Sequence, residues 1–376
     1  ENAAGFNSMN GSADDTVLIG YRAGANVTSN FYNVAIGSMA LYSNKTGHSN
    51  VAIGYRALYT EGSRGSNVAI GHQALQSQSG SSGIASDNVA IGYAAAEDAT
   101  TATRMVIIGT NAGRDITTGG YGTMVGWRAG FTNTTGASNT FIGNYAGYTN
   151  LTGYSNTAVG GSSLYYNSTG YESVAVGLSA GYMFGRGSHT PKHSVFVGNA
   201  AGYYATGSYN TFIGKDAGKG GASSAPYSSG ENNVAIGYEA LKVFTTGGHN
   251  VAIGYRSGLD LTTGNYNTFL GRESGFEVTT NEGSVFLGYQ AGKNTKGAYH
   301  YNIAIGMQAL SAAHATAGTI AIGYKSAEAL TSGANNLAIG YQAMKTHTTG
   351  HSNIAIGYGA MDDTDAGSTS SDSDHN

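Results

Sequence analysis

Ten histidines are the residues of this chain best suited to metal ligation or acid–base work, and they are scattered: His48, His72, His189, His193, His249, His300, His314, His347, His351 and His375. Two pairs have a spacing that invites a metal, His189-Thr-Pro-Lys-His193 and His347-Thr-Thr-Gly-His351. A helix would bring such pairs onto one face, but Pro191 and Gly350 oppose a helix, so zinc is not expected. His48, His249 and His351 recur at one turn position where other segments carry Tyr or Ser, which reads as a solvated turn. Asp362, Asp363, Asp365, Asp372 and Asp374 offer the hard oxygens that calcium takes. Their Ser-rich surroundings read instead as a flexible terminus. Asn10, Asn26, Asn44, Asn133, Asn150 and Asn167 each begin an Asn-x-Ser/Thr sequence, and are expected in exposed turns. With no Cys, thiolate ligands, Cys nucleophiles and disulfides are excluded. No nucleophile, base and stabiliser converge, so neither an enzyme nor a cofactor is expected.

Composition points the same way. Gly is 60 of 376 residues and charged residues are 11%, unlike an ordinary enzyme. Pro is 2, and Gly does not fall at every third position, which excludes collagen. At 40% apolar residues and a net charge of −4 the chain is not a disordered polymer. Lys+Arg 18 against Asp+Glu 22 gives no basic field for nucleic acid. No apolar run of about 18 residues is present, so no membrane insertion is expected. Without an initiator Met or a signal peptide, the chain reads as a processed form or a fragment.

The elements that would position any site emerge from an internal repeat. An aliphatic–Gly pair recurs in 20 units from Gly20 to Gly357, and 14 of the 19 intervals are 17 residues. Numbering that Gly as position 0, position −1 is Ile, Val or Leu and position −3 is Val, Ile, Leu or Thr in all 20 units. They share one face of a strand, since side chains alternate. Seventeen residues are too few for a strand plus a helix; two short strands and two turns fit, which predicts one coil of a parallel β-solenoid or β-roll. Residues 1–15 are expected to cap or link, 16–367 to form the solenoid rod, and 368–376 to be a flexible acidic tail.

Position −2 faces the other way and is also apolar. It is Ala in 12 units and large in eight, and in all eight the residue at +4 is Gly. Phe141 pairs with Gly147, Phe212 with Gly218 and Phe269 with Gly275. Eight of the Ala units carry Leu or Met at +4, for example Leu41 and Leu58. Large at one position means small at the other, so the two fill one volume. Together with Ile36, Ile53, Ile70 and Ile253 at −1, these residues are expected in a packed core. A strand buried on both faces needs two partners. The thin roll supplies one, and a closed homo-oligomer, three chains being the natural count, supplies the other. Asn at −4, in 13 units, either stacks as an amide ladder along the coils or bonds its own turn.

Long intervals imply surface loops near 76–87, 183–194 and 215–232, where binding is often placed. Ser79, Arg186, His189, Pro191, His193, Pro226 and Tyr227 are the candidate loop residues. Tyr fills +1 in nine units, Trp127 in a tenth, and Tyr is frequent at +5. Such rings suit glycan or protein contacts, and packing over neighbouring coils more so.

The phrase N-V-A-I-G at 50–54, 67–71, 233–237 and 250–254 resembles the repeat of trimeric autotransporter adhesin heads. The longer S-N-T-F-I-G-N-Y-A-G-Y-T-N-L-T-G-Y-S-N-T-A-V-G (138–160) is similar to repeats of phage tail fibres and tail-fibre-domain surface proteins. The resemblance covers about 16–367 and implies an all-β parallel β-roll of three chains. The 17-residue unit is longer than the usual adhesin-head unit. The expectation is therefore a non-enzymatic fibre, outside a cell or on a virion, that reaches a cell-surface glycan or protein receptor. A self-polymerising extracellular filament is the alternative, and an ice-binding solenoid, from Thr at +9, a minor one.

Overall fold

The structure, a computed structural model, describes residues 15–27, 31–60, 62–79, 86–186, 190–221, 227–297, 299–313 and 315–362. The chain divides into two compact units, 1–192 and 193–376. Each is a parallel β-solenoid of ten coils. Strands β1 (Val17–Ile19) to β10 (Val174–Val176) belong to the first, and β11 (Val195–Val197) to β20 (Ile354–Ile356) to the second. Within each unit every strand pairs in parallel with the next coil in strict register, as in Phe141↔Ala158 and Ala252↔Phe269. The all-β solenoid and its 17-residue period are as the repeat predicts. The expected cap and tail lie almost wholly outside the described residues.

Each coil holds one three-residue strand, where two were expected. The reason is backbone handedness. Residues at −5, +2 and +4 are left-handed throughout; in one coil these are Ser49 (φ 58°), Arg56 (53°) and Leu58 (48°). Such corners end an extended run after the motif Gly. Pairing continues beyond it as single rungs: Met39 N–H donates down to Tyr21 O (2.8 Å) and Leu41 N–H up to Ala57 O (2.9 Å).

The motif Gly has two causes. Gly143 has φ 136°, open to Gly alone at low cost. A Cβ there would also lie 2.6 Å from the carbonyl oxygen of Gly160 in the next coil. Every departure from the 17-residue spacing falls between the inward +7 residue and the −5 corner; from −5 to +7 the coil never changes length.

The interior is built from −4, −2, +3, +4 and +7. Side chains at −2, from Ala35 to Phe286, are fully buried. The predicted −2/+4 exchange is direct contact: a Cβ on Gly147 would sit 2.6 Å from the Phe141 ring, and one on Gly275 3.0 Å from that of Phe269. Gly218 meets Phe212 likewise. The assignment of faces needs correction. Ile36, Ile53, Ile70 and Ile253 at −1 are outside the chain's own core and only half-buried. Alternation fixes that −2 and −1 oppose each other, and the −2/+4 contact decides which one points in.

The Asn at −4 forms the ladder foreseen for it, and its other bond crosses the coil instead of closing its own turn. Asn33 Oδ1 accepts the backbone N–H of Asn50 in the next coil (2.8 Å), while its Nδ2 donates across its own coil to Gly47 O (3.0 Å). Asn250 repeats this, donating to Asn233 Oδ1 (3.1 Å) and Gly264 O (2.9 Å) and accepting from Asn267 N–H (3.0 Å). Buried amides so satisfied stitch coil to coil.

Candidate functional site

The surface that one chain leaves open is the outer face of its sheet. Positions −3 and −1 carry no charge in any coil. Val106 is 40% exposed, Ile142 39%, and Leu270 45%. Beside them the +1 residues add rings, such as Tyr55, Tyr93, Trp127 and Tyr255. Apolar faces of this extent mark a contact surface. In the first unit −3, −1 and +1 hold no Asp, Glu, Lys or Arg; in the second Lys215 and Arg272 interrupt +1.

Rings stack from coil to coil, as the sequence suggested. Tyr42 lies over Tyr59 (5.1 Å), and Phe131, Tyr148, Tyr165 and Tyr182 form a column with centroids 5.3, 4.9 and 5.1 Å apart. Burial, with Tyr148, Tyr166 and Tyr145 adding, raises the Tyr165 phenol above its ordinary range, so it stays protonated.

Arginines join these rings in a pattern the sequence reading missed. Arg56 lies on Tyr55 and Tyr59 (5.2 Å each), and Arg128 on Trp127 (4.9 Å) and Phe131 (5.3 Å). Arg114 sits 4.2 Å from the Phe131 centroid and pairs with Asp115 at 2.7 Å. The signal was an aromatic–Arg–x–x–aromatic phrase, at 55–59 and 127–131. Nearby, burial raises the carboxyls of Glu97 and Asp98, with the neighbouring acids Asp98 and Asp115 adding to each in turn.

In the second unit the same corner is an ionic ladder. Glu239, 8% exposed at its side chain, accepts from Lys242 (2.6 Å) and Arg256 (2.7 Å). Burial works to raise its carboxyl, but these two hydrogen bonds outweigh it and hold it below the ordinary range. Glu273 is lowered too, first by the hydrogen bond from Gln290 (2.8 Å), against burial and with Lys293 and Arg272 helping.

The candidate loop residues do not converge. Ser79 and Arg186 are exposed, Pro191 is buried, and His193 stacks on Tyr209 (5.4 Å) in the second unit. Tyr227 stands 6.4 Å from Tyr204. His189 and Pro226 lie outside the described residues. The His347/His351 pair is split: His347 is buried at an inward +7 position, while exposed His351 accepts Ala334 N–H (3.0 Å). Among the described residues no group of three or more His, Asp or Glu could hold a metal ion. No helix among them is long and apolar enough to cross a membrane.

The Asn-x-Ser/Thr sites also need correction. Asn44, Asn133, Asn150 and Asn167 are fully buried, not in exposed turns. They occupy the inward +7 position, where Asn150 Nδ2 donates to Asn133 Oδ1 (2.7 Å) and to Gly153 O (2.8 Å). A second amide ladder therefore runs inside the first unit, and its folded coils offer these nitrogens to no glycan. Asn26 is exposed, and Asn10 lies outside the described residues.

Comparison with protein-family models, with curated proteins and with solved structures gives no match.

Proposed function

We propose that this chain is a non-enzymatic structural fibre, extracellular or virion-borne, that assembles with two further copies through the outer faces of its sheets and serves attachment. The observation that carries the reading is the uncharged face repeated on every coil, Ile, Val or Leu at −1 and Val, Ile, Leu or Thr at −3. A surface that repeats at the inter-strand spacing of about 4.8 Å is matched by a ligand with the same period. Another copy of this solenoid has it. A closed symmetric arrangement buries the face on all copies at once, and three ribbons close around one axis. The likeness of the 138–160 phrase to tail-fibre repeats supports the same reading.

Light scattering on purified protein tests it. The expected mass is three times the 38.3 kDa chain; a stable single-copy particle overturns the proposal. Ile253→Asp places a charge on the outer face, so a folded chain that no longer assembles is expected. A correctly sized assembly from that variant counts against it.

A further inference from the structure

We propose that the ridge of Trp127, Arg128, Phe131, Tyr145 and Tyr148 binds an anionic polysaccharide, its carboxylates or sulfates seated on Arg128 and its pyranose rings against Trp127 and Tyr145. The inference deepens the attachment reading and rests on it, and it requires that assembly, which covers −3 and −1, leave the +1 ring of Trp127 open.

Arg128 is a cation without an anion. Two rings hold its guanidinium, it makes no ion pair among the described residues, and its buried Nε has no acceptor. The comparison with Arg256 shows what is missing. Arg256 occupies the same +2 corner, lies 5.1 Å from the Tyr255 ring, and receives Glu239 from the preceding coil. Around Arg128 the neighbouring +2 residues are Asn111 and Tyr145, neither of which is an acid. A planar fork fixed on aromatic faces and partly withdrawn from water is suited to bidentate capture of carboxylate or sulfate.

The surroundings match an acidic partner. From residue 97 to 192 the chain carries five cations (Arg104, Arg114, Arg128, Arg186, Lys192) and four carboxylates (Glu97, Asp98, Asp115, Glu172), a balance of +1 in a chain of −4. Trp127 is 44% exposed, with Tyr145 beside it at 4.7 Å and 60° tilt, and Tyr148 edge-on to Tyr145 at 5.2 Å. The exposed Trp127 ring, flanked by half-buried Tyr145 and Tyr148, suits the C–H faces of sugars. In the +5 column the ring faces are already stacked on one another, which closes them to intercalating bases and favours a glycan over nucleic acid.

Trp127 is the one Trp of the chain, so its fluorescence reports on the ridge. The full chain is titrated with polygalacturonate, dextran sulfate, neutral dextran and oligo-dT. A saturable, salt-sensitive change with either acidic glycan and none with dextran is expected, and the two acidic arms separate carboxylate from sulfate recognition. Arg128→Gln should weaken binding at least about tenfold, the scale of one lost charge-assisted contact. Arg128→Lys should recover part of it, and Arg22→Gln, far along the first unit, should leave it unchanged. No response to either acidic glycan, an equal response to dextran, tighter binding of oligo-dT, or wild-type affinity in Arg128→Gln overturns the proposal. Mass is measured on the same samples. A single-copy protein that binds removes the assembly reading alone, and a trimer that does not bind removes this one alone.

Discussion

The two units build their interiors alike and differ in how they treat their cations. The first carries seven Arg and two Lys, the second two Arg and seven Lys. In the first, guanidiniums lie on rings, as Arg56 and Arg128 do. In the second, Lys219, Lys242, Lys296 and Lys325 reach carboxylates within 3.1 Å. The inward positions, by contrast, follow one rule in both: Phe141/Gly147 and Phe269/Gly275 are the same solution. The backbone is thus set from inside. The outer corner is free to carry either a cation–ring surface or a self-neutralised one.

The sharpest way to break that comparison is to swap core solutions. Gly147→Leu, with Phe141 in place, should unfold its coil, whereas Phe141→Ala alone should lose about 3–5 kcal/mol to the cavity. The double variant reproduces the native Ala158/Leu164 pair, whose Leu already holds φ 46°, and should recover most of the loss in a denaturant titration. Phe269→Ala with Gly275→Leu should behave alike in the second unit. Recovery in one unit and not the other would end the claim that the interiors are built alike.

Next come the amides. Asn250→Ala removes a buried donor and acceptor, and a loss of about 1–3 kcal/mol per orphaned partner is expected. Asn156→Ala, whose Nδ2 donates to Gly170 O (2.7 Å), should lose a similar amount in the first unit. Equal thermal shifts support one scaffold; a neutral variant in either unit argues that its ladder contributes nothing there.

Acidification should separate the units. Glu239 and Glu273 are lowered, so the stability they give is present above the ordinary carboxylate range and is lost as pH falls through their depressed values. Glu97 and Asp98 are raised, so their contribution is fully present below that range and lost as pH rises through their elevated values. Asp260, raised by burial and Glu277, partly offsets the trend in the second unit. Hydrogen exchange should therefore show coils near Glu239 opening before those near Glu97 on going from neutral to acid. The reverse order would contradict these assignments. Smallest of all, Glu239→Gln should lower the melting temperature of the second unit slightly, while Arg128→Gln leaves that of the first within error. A clear loss of stability in Arg128→Gln would make that residue structural.

Much of the scaffold was legible before any coordinates. The period, the parallel stack and the Phe141/Gly147 exchange follow from comparing units of one chain. Which face points inward did not, because period two says that −2 and −1 oppose each other and nothing more. The left-handed corners at Arg56 and Leu58 were hidden, since neither residue type favours that backbone, and with them the single strand per coil. Asn133, Asn150 and Asn167 read as surface acceptors because their local phrase is indistinguishable from one in a turn. Their 17-residue spacing was visible; only the fold reveals that the column they share points inward. Trp127-Arg128-Ala129-Gly130-Phe131 was visible, but partners from adjacent coils decide whether such an arginine is neutralised.

The constancy of the segment from −5 to +7 has an engineering corollary. All that must keep phase between coils is inside those thirteen positions, so the remainder is a splice site whose length is a free variable. A foreign peptide introduced after the +7 residue and before the next left-handed corner would be displayed from the scaffold at any chosen rung, without shifting the coils before or after it.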